Sequence, residues 1–207
     1  MRKEISKEEI NALPIRRYEG EVCLVASPQE LERALADILG AGSVVGFDTE
    51  TRPAFKPGES YLPCLAQIAT ANAVYLFQLQ RQDFAAAIAA LLSSEGIVKA
   101  GVALPDDLRQ LKKMFPFEER SVLDLGAIAR RQGFKQSGVR GLAALVLGFR
   151  IPKGTKTSNW SAPRLSPQQI AYAATDAWAC RELYLRFQGL GLLQAKAPAA
   201  SGAASGG

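Results

Sequence analysis

Asp48 and Glu50 stand one residue apart at the end of the apolar run "VVGF". On a strand, residues two apart point to the same face, so these carboxylates face the same way, about 7 Å apart along the backbone. They are either a solvated strand end or helix cap, or a pair that needs a compensating cation, because like charges in a partly dry place are costly. The last helical segment, "QQIAYAATDAWACRELYLRF", raises the same question. Ala173, Ala177, Cys180, Leu183, Tyr184 and Phe187 form its apolar stripe, and Asp176 lies inside that stripe with Tyr172 one turn earlier. Asp176 is either hydrogen-bonded to Tyr172 within the core or part of a site. In "GVALPDDLRQLKKMF", Asp106 and Asp107 both open a helix, where a carboxylate can cap and meets the positive end of the dipole. Asp107 shares a face with Leu111 and Met114 and points inward. Asp106 shares one with Arg109, Gln110 and Lys113 and points to water. Asp124, in "VLDLG", reads as structural.

The chain has no histidine. That excludes His-based general bases, Ser–His triads and nearly all zinc enzymes. Inward-facing carboxylates then suit hard, oxygen-loving cations, Mg²⁺ or Mn²⁺. Four of them are what two ions about 4 Å apart need to clamp the attacking and leaving oxygens of a phosphodiester. Spacing alone leaves open whether the four acids converge.

The elements that would position them follow from periodicity and caps. "EVCLVAS", "SVVGFDTE", "CLAQIAT", "AVYLFQL" and "IVKAGV" read as strands, the third and fourth joined by a turn at Ala71–Asn72. "SPQELERALADILG" reads as a helix with a Ser27–Glu30 capping box, and "QDFAAAIAALLSS" as an apolar helix. "PDDLRQLKKMF", "SVLDLGAIARRQG" and "RGLAALVLG" have helical spacing. The last long helix starts at Ser166–Pro167 with Gln169 in capping-box position, after the loop "FRIPKGTKTSNWSAPRLSP". The order predicts one mixed α/β sheet with helices on its faces. Residues 1–20 read as an N-terminal extension, 21–192 as one domain and 193–207, rich in Ala, Gly and Ser, as a disordered tail.

With 48% hydrophobic and 22% charged residues among 207, the composition is that of a soluble globular domain. No apolar run is long enough to span a bilayer, and the charged N-terminus lacks a signal-peptide core, which leads to the expectation of a cytoplasmic protein without membrane contact. Cys23, Cys64 and Cys180 form no paired motif and read as small buried residues. A formal net charge of +5 is compatible with a polyanionic partner.

"FDTE", "GVALPDDLRQL" and "NWSAPRLSPQQIAYAATDAWA" resemble, in order, the three motifs of the DEDDy 3′–5′ exonuclease family, and "YAATD" its Tyr-x-x-x-Asp signature. The chain is most similar to the Werner-syndrome-type exonuclease domain and ribonuclease D, over roughly residues 21–189. The resemblance implies a ribonuclease H-like mixed β-sheet flanked by α-helices. It implies a metal-dependent 3′–5′ exonuclease releasing nucleoside 5′-monophosphates from single-stranded or 3′-recessed DNA or RNA. Asp48, Glu50 and Asp176 would hold one of two Mg²⁺ or Mn²⁺ ions, Asp48 and Asp107 the second, and Tyr172 the attacking water.

Further candidates for substrate contact are Thr49, between the paired acids, and Gln67, which is either a sugar or base contact or a polar strand residue. Leu104 is a wedge beside the terminal base or, by the better fit, core. Trp160 stacks on a base or, by the better fit, locks its loop. Lys153, Lys156 and Arg164 are phosphate contacts or solvated charges; Arg52 is a further cation beside the acid pair. Two other readings are a catalytically silent nucleic-acid-binding module and an α/β interaction domain whose acids only cap helices.

Overall fold

A computed structural model describes residues 1–40, 42–56, 58–154 and 158–194. Its strands are β1 (Glu21–Val25), β2 (Val44–Thr51), β3 (Pro63–Ala69), β4 (Ala73–Gln78), β5 (Val98–Gly101) and β6 (Val122–Asp124). Its helices are α1 (Lys7–Ala12), α2 (Pro28–Gly40), α3 (Gln82–Ser93), α4 (Leu104–Leu111), α5 (Leu125–Arg131), α6 (Val139–Leu142) and α7 (Pro167–Gly189). α6 runs on into a π-helical turn, Ala143–Leu147.

The strands form one sheet in the order β1-β4-β3-β2-β5-β6. β2 is central, antiparallel to β3 and parallel to β5, so the sheet is mixed, as the sequence predicts. Alternation divides its apolar residues between two cores. Val45, Phe47, Ala66, Ile68, Tyr75 and Phe77 meet α2, α3 and α4 on one face. Leu65, Ala69, Val74 and Leu76 meet Ala173, Ala174 and Ala177 of α7 on the other, while Val44 and Ala100 meet α5, α6 and the second half of α7.

The expected capping boxes form. Glu30 accepts from the Ser27 N–H, and the Ser27 hydroxyl from the Glu30 N–H. Ser166 and Gln169 do the same at α7. One expectation needs correction. Val122–Asp124 is the edge strand β6 rather than the start of a helix, because it pairs in parallel with β5. A strand of three residues is too short for periodicity to reveal. Asp124 then caps α5, accepting from the Gly126 and Ala127 N–H groups. Residues 1–20 also lie against the rest of the chain: α1 carries a Ser6–Glu9 capping box, Arg150 donates its N–H to the Pro14 carbonyl, and the Tyr18 N–H donates to the Thr175 hydroxyl. Beyond Gln194 the expected tail lies outside the described residues.

One buried charge was not foreseen. Lys99 on β5 is fully enclosed and donates to the Ser94 carbonyl at the carboxyl end of α3, and burial pulls its pKa down to about 8.

The packing of α7 on β2 depends on Gly46. A β-carbon there would stand 2.0 Å from the Ala177 carbonyl oxygen and 2.8 Å from the Arg181 nitrogen, both backbone atoms that cannot step aside. A glycine inside a strand often marks such a close approach. Gly46→Ala is expected to lift α7 and destabilise the fold by about 2 kcal/mol or more. For a chain of this size that lowers the melting midpoint by roughly 4–8 °C. An unchanged midpoint in thermal unfolding would refute the close seating of α7.

Candidate active site

β2 sends Val45 and Phe47 to one core, and Gly46, Asp48 and Glu50 to the α7 face. The register with β3 shifts between Glu50 and Thr51, a bulge that bends the strand just past the acid pair. Because α7 lies flat over Gly46, Asp176 comes down beside the strand. One carboxylate oxygen each from Asp48, Glu50 and Asp176 lie within 4.8 Å of one another, an arrangement able to hold a metal ion.

The trio is dry. Glu50 is 8% and Asp176 3% exposed. Burial pushes the Asp48 pKa well above the carboxylate range, and the charges of Asp176, Glu50 and Asp107 raise it further. Burial also raises Asp176 to about 6, against the opposing pull of a hydrogen bond from Tyr172 and the Arg140 charge. Among the described residues, neither Asp48 nor Asp176 belongs to an ion pair. Asp176 Oδ1 is buried without a hydrogen-bond partner. One oxygen of Asp48 accepts from the Thr49 N–H at 2.9 Å.

Asp107 approaches from the opposite side of β2 and is not one of the close trio. The link is Thr49, which points away from Asp48 and Glu50 and donates its hydroxyl to Asp107 Oδ1 at 2.7 Å. α4 is aimed at this point by a left-handed residue, Ala103 (φ 63°), whose N–H donates to Asp124. Asp107 is half-buried, and desolvation raises its pKa. Asp106 is exposed and pairs with Arg109, so the two acids divide inward and outward as the helical spacing predicts.

Tyr172, one turn before Asp176, hydrogen-bonds that carboxylate. Burial first, and the surrounding acids second, push its pKa well above the usual value and keep the hydroxyl protonated. Its ring is held on two sides. Trp160 packs against it, with ring centroids 5.9 Å apart, and Gly154 lies so close that a β-carbon would stand 1.6 Å from the Tyr172 ring. Gln169 ties this loop to α7: its Oε1 accepts from the Ser166 N–H, while its Nε2 donates to the Ser158 hydroxyl and the Asn159 carbonyl.

The candidate substrate contacts fare unevenly. Gln67 and Leu104 have no exposed surface and Trp160 only 1%, so none of the three presents a surface to a substrate in this conformation. For Leu104 and Trp160 this is the packing that the sequence favours. Thr49 is buried, with its hydroxyl engaged by Asp107. Lys153 and Arg164 are exposed, Arg52 is exposed over the Tyr61 ring at 4.8 Å, and Lys156 lies outside the described residues. Lys153 also lines a cavity of about 340 Å³ with Arg17, Gly154, Gln168, Tyr172 and Thr175; none of the four acids reaches it. Residue spacing missed the positioning roles of Gly46, Gly154 and Gln169. Gly46 carried a signal, as a glycine inside a strand; the other two depend on a loop path that no local pattern encodes.

A profile of the 3′–5′ exonuclease family matches residues 23–190. The mouse (Mus musculus) bifunctional 3′–5′ exonuclease/ATP-dependent helicase WRN is 32% identical over 180 residues, covering 84% of this chain and 12% of that protein. Ribonuclease D of Acidiphilium cryptum is 33% identical over 155 residues, covering 73% of this chain and 38% of that enzyme. The chain thus spans well under half the length of these relatives. Among solved structures, the EXO domain of Aedes aegypti Nibbler superposes with a TM-score of 0.72 at 24% identity, covering 86% of this chain and 94% of that one. Escherichia coli RNase D superposes with a TM-score of 0.69 at 19% identity, covering 85% and 47%. These likenesses establish the ribonuclease H-like fold. With the three acidic motifs in order along the matched span, the chain belongs to the DEDDy 3′–5′ exonuclease family.

Proposed function

We propose that this chain is a metal-dependent 3′–5′ exonuclease that hydrolyses the terminal phosphodiester of DNA or RNA and releases nucleoside 5′-monophosphates. The observation that carries the reading is the meeting of half-buried Asp48 with buried Glu50 and Asp176 within 4.8 Å, where neither aspartate belongs to an ion pair among the described residues. An all-oxygen donor set without histidine fits Mg²⁺ or Mn²⁺, and the orphaned Oδ1 of Asp176 is an acceptor in want of a cation. Asp48, Glu50 and Asp176 would hold one ion, and Asp48 with Asp107 the second. Two such ions supply a lowered water pKa and neutralise charge on the attacking and leaving oxygens.

The chain's own residues do the positioning. With Asp176 engaged by a cation, the Tyr172 hydroxyl, kept protonated by burial and its acidic neighbours, would be released to act as a hydrogen-bond donor to the attacking water rather than as a base. Trp160 and Gly154 fix its ring, so the hydroxyl is aimed before substrate arrives. Water attacks phosphorus, the bond to the 3′ oxygen of the penultimate nucleotide breaks, and the 5′-monophosphate leaves. Exposed Lys153 and Arg164 are the described cations available to backbone phosphates of a single-stranded or 3′-recessed end. Trypanosoma brucei RNase D, which superposes with a TM-score of 0.70 at 20% identity, is known in complex with the RNA U12. That leaves RNA and DNA as the two substrates to compare for this chain.

With Mg²⁺ or Mn²⁺, an end-labelled oligonucleotide is expected to shorten stepwise from its 3′ end, and matched DNA and RNA strands, single and recessed, will rank the substrates. Asp48→Ala and Asp176→Ala are each expected to lower cleavage at least about 100-fold, the scale on which one electrostatic stabiliser acts. Unchanged cleavage by both would refute the assignment. Retardation without cleavage by the wild type would favour the silent binding module.

The raised pKa of Asp176 gives a second test, without substrate. The folded state holds a proton on this group up to about pH 6, whereas the unfolded chain releases it near 3.8. Stability from this proton is therefore lost as pH rises from about 4 through 6. Asp176→Asn mimics the protonated form. Metal-free Asp176→Asn is expected to be more stable than wild type at pH 7.5 by about 3 kcal/mol, and the gap should close towards pH 4. Denaturant titrations at the two pH values measure it, and a gap independent of pH would refute the buried crowding.

A further inference from the structure

Gln67 stands on β3 directly opposite Asp48 in the antiparallel register with β2. Directly opposed residues share a face, with β-carbons about 4.5–5.5 Å apart, within the span of a glutamine side chain. Gln67 has no accessible surface, and neither its Oε1 nor its Nε2 has a hydrogen-bond partner. Its neighbours on this face of the sheet are apolar: Leu65 and Ala69 on its own strand and Leu76 across the β4 register. Each buried polar group left unpaired costs about 1–3 kcal/mol, so an apolar side chain of the same shape would be the better core residue. The amide at this position calls for a partner, and the cross-strand side chain able to act as acceptor is the Asp48 carboxylate.

We propose that Gln67 is a positioning residue for Asp48: its Nε2–H donates to the Asp48 carboxylate when the acidic cluster holds divalent cations, and so fixes the orientation of that ligand. The inference rests on the metal-site reading above and deepens it. It replaces a direct substrate contact, which the enclosure of Gln67 beneath α7 disfavours. Partners that orient a ligating carboxylate typically account for about 10–100-fold in metal affinity.

The test compares full-length wild type with Gln67→Met, which keeps the length of the side chain and removes the amide, and with Gln67→Leu. Mn²⁺ binding is measured by titration calorimetry, and unfolding is followed without metal. The metal-free midpoint is expected to equal or exceed that of wild type, while Mn²⁺ affinity falls about 10-fold or more. Unchanged Mn²⁺ affinity in a folded variant overturns the proposal, whatever the midpoint does. Failure of both variants to fold also overturns it, because the amide then serves the fold. Wild type that binds no Mn²⁺ would refute the metal-site reading itself, whereas equal binding by wild type and variants refutes only the role of Gln67.

Discussion

The repulsion among Asp48, Glu50 and Asp176 is the constraint to which the rest of the structure answers. At a separation of at most 4.8 Å, two ionised carboxylates in a half-dry environment oppose each other by roughly 3 kcal/mol. Three such pairs would consume much of the stability of an ordinary domain, which is about 5–15 kcal/mol in total. The metal-free protein meets this by holding protons: burial raises both Asp48 and Asp176 above their ordinary values, and the neighbouring acids add to the shift of Asp48. A rigid frame is needed as well, because a looser one would let the acids move apart. That frame is the contact of α7 with β2, backbone to backbone over Gly46, with Ala173, Ala174 and Ala177 of the helix packed on Leu65, Ala69, Val74 and Leu76 of the neighbouring strands.

Much of this was legible in the sequence, for identifiable reasons. Alternation along β2 places Asp48 and Glu50 together, and the period of α7 places Asp176 within a stripe whose other members are all buried. Both are local geometry and need no knowledge of the fold. Residue spacing alone could not show that the two elements meet; that expectation came from the likeness of the motifs, and the geometry now supplies it for three acids. The edge strand β6 was missed because three residues carry no usable period and its pairing with β5 is tertiary. The burial of Lys99 was missed for a related reason: a lysine on a short strand reads as solvated unless the helix end it caps is known. Gln67 was legible as a polar residue in an apolar strand, yet its lack of any partner is a property of the assembled core.

The aim of Tyr172 depends on a chain of contacts that starts in a cap. Gln169 closes the first turn of α7 and, with its other amide atom, grips Ser158 and Asn159. That grip seats Trp160 against the Tyr172 ring, and Gly154 closes the other side. The same helix is fastened from outside by Tyr18 on Thr175, so residues before β1 help to hold the element that carries two of the site's side chains. A capping residue thus serves helix initiation and the seating of the Tyr172 ring at once, through two atoms of one amide.

Asp107 shows why four acids need not be equivalent. Thr49 lies between Asp48 and Glu50 in sequence but on the opposite face of β2, and its hydroxyl ties Asp107 to the strand from the α4 side. The fourth carboxylate is therefore registered to the acid pair through this hydrogen bond and the packing of short α4, while Asp176 is registered through the packing of the long helix α7 over Gly46. A hydrogen bond to one hydroxyl is a softer restraint than backbone contact over a glycine. The trio is accordingly the tightly held half of the acidic cluster, and Asp107, in reach of Asp48 electrostatically but outside the 4.8 Å group, is the half held by the softer restraint.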